Sequence, residues 1–520
     1  VTAPLFARAA ALVDRASAPG DPDQPAAPAG EAARLVFVVL DTMMITQGLW
    51  RVVLERLGQS ELALRPHEVV LAATHTHSGP SGFAHHFWTN LSAPGFSPVV
   101  FAALVDGVVG AVADAFAAAR PAALEVVQSP APLADRTAFN RSWFAYNKNV
   151  GVMPVPRERR DEATDRTVTV LRARGRDGRV FGLLQWFGLH ATVVHSQHRG
   201  LHPDYKGLTA MGLEADGLGV VLAQECCGDV SPNHRWDAAR GYEVGSHDDD
   251  LDSAAHIAAS QLRHTRALLE APGTPLRGLS SAIRYVDMGQ AISAPAMSPD
   301  GREHRTTRAT LGLSMAEGTA EGPGPMRPVR ALNRALSAFR ARLGLDPKVP
   351  FLELGRGRDG KLGRLVPMHL TPPLDPVFTW VRDRVRGGGV HAGPWVPEQI
   401  PVQLVRLGSF AILAIPFEAT TVCGRRLRAT VEAALPGVER VVVTTYASAY
   451  VGYLTTFEEY QVQHYEAGYT LFGAHSLGAL RTEVQALAAQ LGQVPEAGVF
   501  PPPVDTAPLE KLRFVGPWTA

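Results

Sequence analysis

Residues 35–80 read LVFVVLDTMMITQGLWRVVLERLGQSELALRPHEVVLAATHTHSGP. Residues 35–40 and 68–73 are largely apolar runs of strand length, and residues 48–58 between them have the apolar spacing of a helix. This order predicts a β-α-β unit, in which the helix connects two strands of one sheet. We therefore expect a mixed α/β (α+β) fold, with layered β-sheets flanked by helices.

Seven further segments have the length and apolar composition of buried strands. They are residues 123–127, 167–171, 180–187, 220–223, 402–407, 411–415 and 440–444. Residues 18–30 are rich in proline, alanine and glycine, which predicts a surface loop. Residues 293–397 are rich in glycine, proline and arginine, so we expect long loops with few helices there.

Composition narrows the classes of function. Among 520 residues, 50 lysines and arginines balance 50 aspartates and glutamates, so the basic surplus of a dedicated nucleic-acid-binding protein is missing. An apolar fraction of 46% with 19% charged residues excludes general disorder. The long apolar segment 101–119 contains Asp106 and Asp114, which favours a packed helix over a membrane span.

Histidines follow two of the predicted strands. THTHSGP at residues 74–80 comes directly after the second strand of the β-α-β unit. If the strand continues, His75 and His77 share one face, roughly 6–7 Å apart along the chain. One imidazole could then bind a metal while the other handles protons, although two partly exposed histidines at a strand end fit the pattern equally well.

His190 follows the strand at residues 180–187 and is a candidate third imidazole, because zinc commonly takes histidine nitrogens that rigid strands hold in place. A buried core histidine is the alternative. Three further histidines compete for the same role, and their polar loop indicates solvation: His195, His198 and His202.

Ser231 lies in GDVSPN, residues 228–233, after the strand at 220–223. A serine in a Gly/Pro-bounded turn can present a nucleophilic hydroxyl, but an ordinary Ser or Asx turn has the same pattern and no G-x-S-x-G elbow is present. Glu418 follows the strand at 411–415, where a buried carboxylate needs a cation or, alternatively, serves the start of a helix. The tyrosine-rich residues 446–469, including Tyr450 and Tyr453, offer phenols as metal ligands or hydrogen-bond donors.

Six sequence blocks occur in one order and together resemble the neutral/alkaline non-lysosomal ceramidase family. The resemblance extends over residues 5–475. The blocks are THTHSGP at 74–80, NRSWFAYNKN at 140–149, the strand that ends before His190, GDVSPN at 228–233, RLGSFAILAIPFEATTVCGRRLR at 406–428 and GYLTTFEEYQVQHYEAGYTLFGAH at 452–475.

The resemblance implies a zinc-dependent amidase that hydrolyses the N-acyl amide of ceramide to a sphingoid base and a fatty acid. It implies one Zn²⁺ per chain at the strand ends, and it selects His75 over His77 and Tyr453 over Tyr450. The implied metal ligands are His75, His190, Glu418 and Tyr453. The implied catalytic residues are Ser231 as nucleophile, His77 as acid/base, and Arg141 and Tyr465 as contacts to the oxyanion or to the polar head of the substrate.

The sequence leaves the chemical route open, because either Ser231 or a hydroxide generated by zinc could attack the amide. It also leaves open another N-acylated lipid or small molecule as substrate, a serine esterase that uses Ser231 without metal, and a catalytically silent lipid-binding relative. The sequence also leaves open whether the adjacent Cys226 and Cys227 are free thiols.

The resemblance also carries expectations about organisation and context. We expect residues 1–491 to form a catalytic domain and the proline-rich residues 492–520 to form a tail or linker, without the family's immunoglobulin-like domain. The expected partner is an amphiphilic N-acyl lipid, with peripheral contact to membranes or micelles and no obligate protein partner. The implied location is secreted or periplasmic.

Overall fold

The computed structural model describes residues 2–14, 32–86, 88–90, 95–130, 135–195, 198–355 and 395–491. The predicted loop at 18–30 and the predicted tail at 492–520 lie outside the described residues. Within them the chain forms a mixed α+β fold, which confirms the expected class.

The described residues contain ten α-helices: α1 Gln47–Gln59, α2 Pro98–Ala117, α3 Trp143–Tyr146, α4 Asp204–Glu214, α5 Asp250–Glu270, α6 Arg330–Arg342, α7 Thr421–Ala434, α8 Phe457–Val462, α9 Tyr465–Gly468 and α10 Ser476–Ala488. The strands up to the middle of the chain are β1 Ala7–Asp14, β2 Ala33–Leu40, β3 Val69–Ala73, β4 Ala123–Pro130, β5 Phe139–Asn140, β6 Thr167–Arg174, β7 Val180–Phe187, β8 Gly219–Gln224, β9 Val230–Ser231, β10 Arg235–Asp237, β11 Tyr242–Val244 and β12 Thr274–Leu276. The remaining strands are β13 Leu279–Asp287, β14 Ile292–Ser293, β15 His304–Arg305, β16 Thr310–Gly312, β17 Gly318–Thr319, β18 Gly322–Pro323, β19 Pro350–Glu353, β20 Gln399–Leu407, β21 Phe410–Ala414, β22 Glu418–Ala419, β23 Arg440–Thr444 and β24 Tyr453–Leu454.

The predicted β-α-β unit is present at β2, α1 and β3. Strands β2 and β3 pair in parallel with Val36 opposite Val69, while β1 adds to the other edge of β2 in antiparallel orientation. Helix α1 begins after Thr46, whose side chain accepts a hydrogen bond from the Leu49 backbone N–H and so satisfies one free donor of the first turn. The carboxyl ends of β2 and β3 meet at one edge, directly before residues 74–80.

Two larger sheets lie beside this unit. One has the strand order β12-β4-β6-β7-β8 and the other β13-β20-β21-β23. Aromatic side chains from three sheets meet in one core cluster: the Trp186 ring centroid lies 5.5 Å from that of Phe37 and 5.8 Å from that of Phe410. The indole N–H of Trp186 donates to Thr444 Oγ1 at 2.8 Å, so the one polar atom of this buried side chain is satisfied.

Helix α2 is long and apolar enough to cross a membrane by length and composition, and among the described residues it alone passes that test. Its Val105, Val108 and Val112 are buried in the core, and Asp106 on the outer side pairs with Arg56 of α1 at 2.5 Å. These contacts fit the packed helix expected from the sequence.

The segment expected to be long loops contains more regular structure than predicted. Residues 293–355 form short strand pairs and the thirteen-residue helix α6, whose apolar residues have helical spacing within a segment rich in glycine, proline and arginine. Residues 356–394 of the same segment lie outside the described residues. All three cysteines, Cys226, Cys227 and Cys423, are buried free thiols.

Candidate active site

A two-residue parallel ladder brings together two predicted ligands. Glu418 of β22 lies directly opposite Tyr453 of β24. The sequence also allowed Glu418 to cap the start of a helix. Asp229 has this role instead, because its Oδ1 accepts a hydrogen bond from the backbone N–H of Thr421, the first residue of α7, at 2.8 Å. The Glu418 side chain is therefore available to the cluster of histidines.

His75 lies in a turn and not on an extended strand. Strand β3 ends at Ala73, and His75 has a φ of +66°, a left-handed conformation that is uncommon for histidine. The turn is held by the His75 N–H, which donates to Thr42 O at 3.0 Å. The strand therefore does not continue to His77, and the expected spacing along a strand does not apply. The turn still brings the two imidazoles together, with their Nε2 atoms 3.1 Å apart.

Backbone carbonyls fix the tautomers of two histidines. Nδ1 of His75 lies 2.6 Å from Met43 O, and Nδ1 of His190 lies 2.6 Å from Cys227 O. A carbonyl oxygen only accepts hydrogen bonds, so each Nδ1 carries the proton and each Nε2 keeps a free lone pair. This arrangement is typical of histidines that bind a metal through Nε2.

The donor atoms converge on one point. Glu418 Oε2 lies 3.0 Å from His190 Nε2 and 3.4 Å from His75 Nε2, and the Tyr453 hydroxyl lies 3.3 Å from His190 Nε2. Tetrahedral ligands at zinc–nitrogen distances of about 2.0–2.1 Å have separations of about 3.3 Å. The spacing and the donor types therefore fit a metal ion. The ligand nitrogens of His75, His77 and His190 also lie within 4.8 Å of one another.

Two tyrosines that the resemblance did not select support Glu418. Tyr450 donates a short hydrogen bond to Glu418 Oε1, and the Tyr446 hydroxyl lies 3.4 Å from Oε2. The Tyr446 ring stacks on His75, with centroids 3.9 Å apart. Burial disfavours the Glu418 carboxylate, but His75 and His190 beside it lower its pKa well below the ordinary value. The contacts with the two histidines therefore favour the ionised form of the carboxylate.

His77 is the one member of the histidine group that is exposed to solvent. Its backbone N–H donates to Ala191 O at 3.2 Å. Desolvation by the surrounding protein, together with the neighbouring His75 and His190 rings, holds the pKa of His77 well below its usual value. A neutral imidazole with access to solvent can accept a proton at neutral pH.

Ser231 is fully buried on β9, which pairs with β5. Its Oγ accepts the backbone N–H of Asn233 at 2.9 Å. Val230, the residue before it, accepts the His190 backbone N–H at 3.1 Å, so the serine and the histidine are held by adjacent main chain. The turn lies at Gly228 and Asp229, so Ser231 is on the short strand after it, and its contact with the Asn233 N–H is that of an ordinary Ser turn. The serine lies next to the residue that holds the His190 backbone.

Arg141 connects the serine side of the site to the predicted ligands. Its Nη2 donates to the Tyr453 hydroxyl at 2.8 Å and to Gly228 O at 2.9 Å, and its Nε donates to Glu466 at 2.9 Å. The guanidinium carbon lies 5.7 Å from the ring centroid of Tyr465, which meets the Tyr453 ring edge-on at 5.5 Å. The structure therefore brings all eight predicted site residues into one region.

Glu321 was not anticipated. It lies at the tip of the hairpin formed by β17 and β18, and its Oε1 lies 3.5 Å from Arg141 Nη1. Burial raises its pKa, but Arg141, His190 and the Ser231 hydroxyl lower it below the usual value overall. The glycine-rich sequence around it carries no signal of this role. Glu466, also missed, is adjacent to Tyr465 in a block that the sequence did single out.

The competing histidines lie elsewhere. His195 Nδ1 pairs with Asp250 Oδ2 at 3.0 Å, and His202 is buried, so the expectation that both are solvated is wrong. Contacts of the described residues on both sides of the loop explain the burial: Tyr205 donates to Leu189 O, and the His202 N–H donates to Ser78 O at 2.9 Å.

Comparisons with known proteins identify the family of the chain. The profile of the family described as neutral/alkaline non-lysosomal ceramidase, N-terminal, matches residues 26–338 and 386–482. A neutral ceramidase of Pseudomonas aeruginosa is 32% identical over 86% of this chain, and the alignment covers 62% of that relative. Neutral ceramidase A of Dictyostelium discoideum is 30% identical over 91% of this chain and 68% of the relative. The chain thus spans a little under two thirds of the first relative and about two thirds of the second.

Solved structures give the same result. The crystal structure of the Pseudomonas aeruginosa neutral ceramidase superposes with a TM-score of 0.71 at 28% identity, over 91% of this chain and 69% of that one. A structure titled as a ceramidase complexed with C2 superposes with a TM-score of 0.73 at 30% identity, over 92% of this chain and 70% of the other. Sequence, fold and site together show that the chain belongs to the neutral/alkaline non-lysosomal ceramidase family.

Proposed function

We propose that this protein is a zinc-dependent amidase that hydrolyses the N-acyl amide of ceramide to a sphingoid base and a fatty acid. The observation that carries the proposal is the convergence of His75, His190, Glu418 and Tyr453 on one point, next to Ser231. The relatives are named neutral ceramidases, and one neighbouring structure holds C2. These names support ceramide as the substrate.

The donor set favours zinc, since two imidazoles, a carboxylate and a phenol in tetrahedral spacing suit that ion. When bound, one Zn²⁺ supplies positive charge that polarises the amide carbonyl. We assign His75, His190, Glu418 and Tyr453 as its ligands. The Nδ1 hydrogen bonds of the two histidines orient both rings before the ion arrives, which reduces the cost of forming the site.

Ser231 is the proposed nucleophile. Its Oγ attacks the amide carbonyl carbon, the Oγ–C bond forms and the C–N bond breaks, while the serine proton ends on the leaving nitrogen. The products of this half-reaction are an acyl-serine ester and a free amine. Water then cleaves the ester, which releases the fatty acid and restores the hydroxyl. The Asn233 N–H, which donates to Ser231 Oγ at 2.9 Å, holds the hydroxyl oxygen in place.

The remaining residues transfer protons and stabilise the charge that develops in the reaction. His77 is neutral and solvent-accessible, so we assign to it the proton transfer to the leaving amine. Arg141 carries a fixed positive charge, and Tyr465 places a phenol beside it, so both suit the developing oxyanion or the polar head of the substrate. Two carboxylates flank Arg141 and hold the guanidinium in one orientation.

We extend the proposal to organisation and location. Residues 1–491 form the catalytic unit and residues 492–520 a tail or linker. A secreted or periplasmic location accompanies the proposed activity.

A mass-spectrometric assay with a medium-chain ceramide in detergent micelles tests the proposal. We expect release of sphingosine and fatty acid, its loss with a strong zinc chelator and its recovery with added zinc. Ser231→Ala and His75→Ala should each abolish release, whereas the matched Ser280→Ala on the edge strand β13 should not. Full activity in both site variants with an intact fold would refute the assignment. If the protein binds stoichiometric zinc but releases no sphingosine or fatty acid, its substrate is another N-acyl compound and not ceramide.

A further inference from the structure

Helix α6 turns an apolar face toward solvent. Leu332, Leu336, Phe339 and Leu343 have exposed fractions between 40% and 59%. With about 100° per residue in an α-helix, these four side chains fall within an arc of about 60°. They therefore form one continuous stripe, which we call the α6 stripe. Leu345, just after the helix, is 52% exposed as well.

The face of α6 that packs on the protein is polar. The buried side chains of the helix are Asn333 and Ser337. Asn333 Nδ2 donates to Glu317 Oε1, and Arg330 Nε lies 3.5 Å from Glu317 Oε2. A surface helix ordinarily buries its apolar face and exposes its polar one. The reversed orientation of α6 indicates that the α6 stripe has a partner outside the described residues.

The charges of α6 specify the kind of partner. The helix contains four arginines and neither aspartate nor glutamate. Arg330 and Arg334 are exposed and lie near Glu317, on the side of the helix away from the α6 stripe. Arg340 and Arg342 lie about 80° to either side of the centre of the α6 stripe, given the helical repeat. Arg342 is exposed, whereas Arg340 is half-buried and its Nε donates to Asp346 O at 2.8 Å. An apolar stripe flanked by arginines is the arrangement that binds at the surface of an anionic bilayer.

The helix is connected to the candidate active site. The 3₁₀ turn Leu313–Glu317, whose Glu317 anchors α6, packs on α9, which begins with Tyr465. The contact is close, because a Cβ built on Gly468 would lie 2.4 Å from Ser314 Oγ. On the other side of α9, the His464 ring stacks on Phe144, which is 45% exposed. The α6 stripe is therefore connected to the candidate site through the turn Leu313–Glu317 and α9.

We propose that the α6 stripe inserts into the headgroup region of an anionic lipid bilayer and holds the candidate site at the membrane surface. The choice of a lipid partner rests in part on the proposed function, since an N-acyl lipid substrate is supplied by such a surface. Leu332, Leu336, Phe339 and Leu343 supply the buried apolar area, and Arg340 and Arg342 contact lipid phosphates.

Vesicle cosedimentation tests the proposal without any catalytic readout. Vesicles of phosphatidylcholine with phosphatidylglycerol should bind the protein, and the double variant Leu336→Asp/Phe339→Asp should bind at least tenfold more weakly. Replacing both Arg340 and Arg342 with Gln should weaken binding about fivefold per arginine, and only when phosphatidylglycerol is present. The matched control is Val99→Asp on α2, which is 79% exposed and should bind as the parent protein does.

Turnover of a short-chain N-acyl substrate in detergent separates this proposal from the proposed function. We expect the α6 variants to keep that turnover while they lose vesicle binding. Parent protein that does not bind the vesicles, or α6 variants that bind as well as the parent, would overturn the proposal. A parent dimer converted to monomer by Leu336→Asp/Phe339→Asp would assign the stripe to a second copy. A large drop in the unfolding temperature of Leu336→Asp/Phe339→Asp would show that the α6 stripe packs against other residues of this chain. Either result would also overturn it.

Discussion

Glu418 and Tyr453 are register partners in a parallel ladder of only two residues, yet they come from segments 35 positions apart in the chain. The Glu418 N–H also donates to Gly452 O at 2.9 Å, which extends the pairing to the residue before Tyr453. Because backbone hydrogen bonds set this register, the two side chains enter the histidine cluster at fixed positions. Shifting either strand by one residue would turn its side chain away.

The first prediction concerns this pair. Glu418→Gln keeps the shape of the side chain but removes its negative charge, so we expect zinc affinity to fall by at least the roughly 10–100-fold that loss of an outer partner causes. Zinc content after dialysis against a competing chelator, measured by mass spectrometry, checks it. Glu432→Gln, on the exposed side of α7, is the matched control. Undiminished zinc binding in Glu418→Gln would contradict the ligand assignment.

The second prediction concerns Glu321. Glu321→Gln should lower kcat by roughly tenfold with KM little changed, because Arg141 loses one of the two carboxylates that orient it and small misplacements cost rate. Steady-state kinetics on ceramide in micelles separates kcat from KM. Glu303→Gln, an exposed substitution in the same segment, should behave as the parent. A rise in KM at constant kcat would instead assign Glu321 to substrate binding.

Much of the sheet framework could be predicted because strands buried on both faces appear as continuous apolar runs. Residues 35–40 and 441–443 are of this kind, residues 180–187 are interrupted only by Gly182 and Gln185, and each segment lies in an observed strand. The β-α-β unit followed from the order of two such runs around one helical segment. The helix α6 was missed although Leu332, Leu336, Phe339 and Leu343 have helical spacing, because the prediction for the whole segment rested on its glycine, proline and arginine content.

The site was predictable in residue types but not in geometry. A two-residue strand such as β22 or β24 is too short to leave a periodic pattern, and nothing in THTHSGP signals the positive φ of His75. The tyrosine layer behind Glu418 depends on tertiary contacts from residues 446–450, which the sequence gives only as a cluster of aromatic side chains. Glu321 reaches Arg141 across a distance of 180 residues in the chain, which no local signal encodes.

The third prediction tests how closely backbone segments approach behind the site. A Cβ on Gly228 would lie 2.6 Å from Glu418 O, so Gly228→Ala must push β22 away. We expect a loss of about 1–3 kcal/mol in the free energy of unfolding and weaker zinc binding. Urea unfolding and chelator competition measure the two effects.

Gly107→Ala on α2 provides the contrast for this prediction. A Cβ at Gly107 meets open space, so alanine should be neutral or should stabilise the helix by up to about 1 kcal/mol. If the two substitutions changed stability equally, close packing at Gly228 would not be the cause.

The last prediction concerns Lys206, a fully buried ammonium on α4. Its Nζ donates to Phe187 O at 3.1 Å and to Ala223 O at 2.9 Å, and it lies near Glu225 and Cys227. Burial lowers its pKa to about 7, far below the ordinary value of a lysine. Between pH 7 and pH 10 the unfolded chain therefore binds this proton more than the folded protein does. The contribution of Lys206 to the free energy of unfolding must therefore rise with pH across that window.

Lys206→Met replaces the ammonium with an apolar side chain of similar length and removes this titration. We expect the free energy of unfolding of the parent to increase relative to that of Lys206→Met between pH 7 and pH 9, as measured by urea unfolding at each pH. Lys148→Met, at an exposed position, should give a curve parallel to that of the parent. A parent-minus-Lys206→Met difference that stays constant or falls with pH would show that the buried lysine keeps its proton in the folded protein.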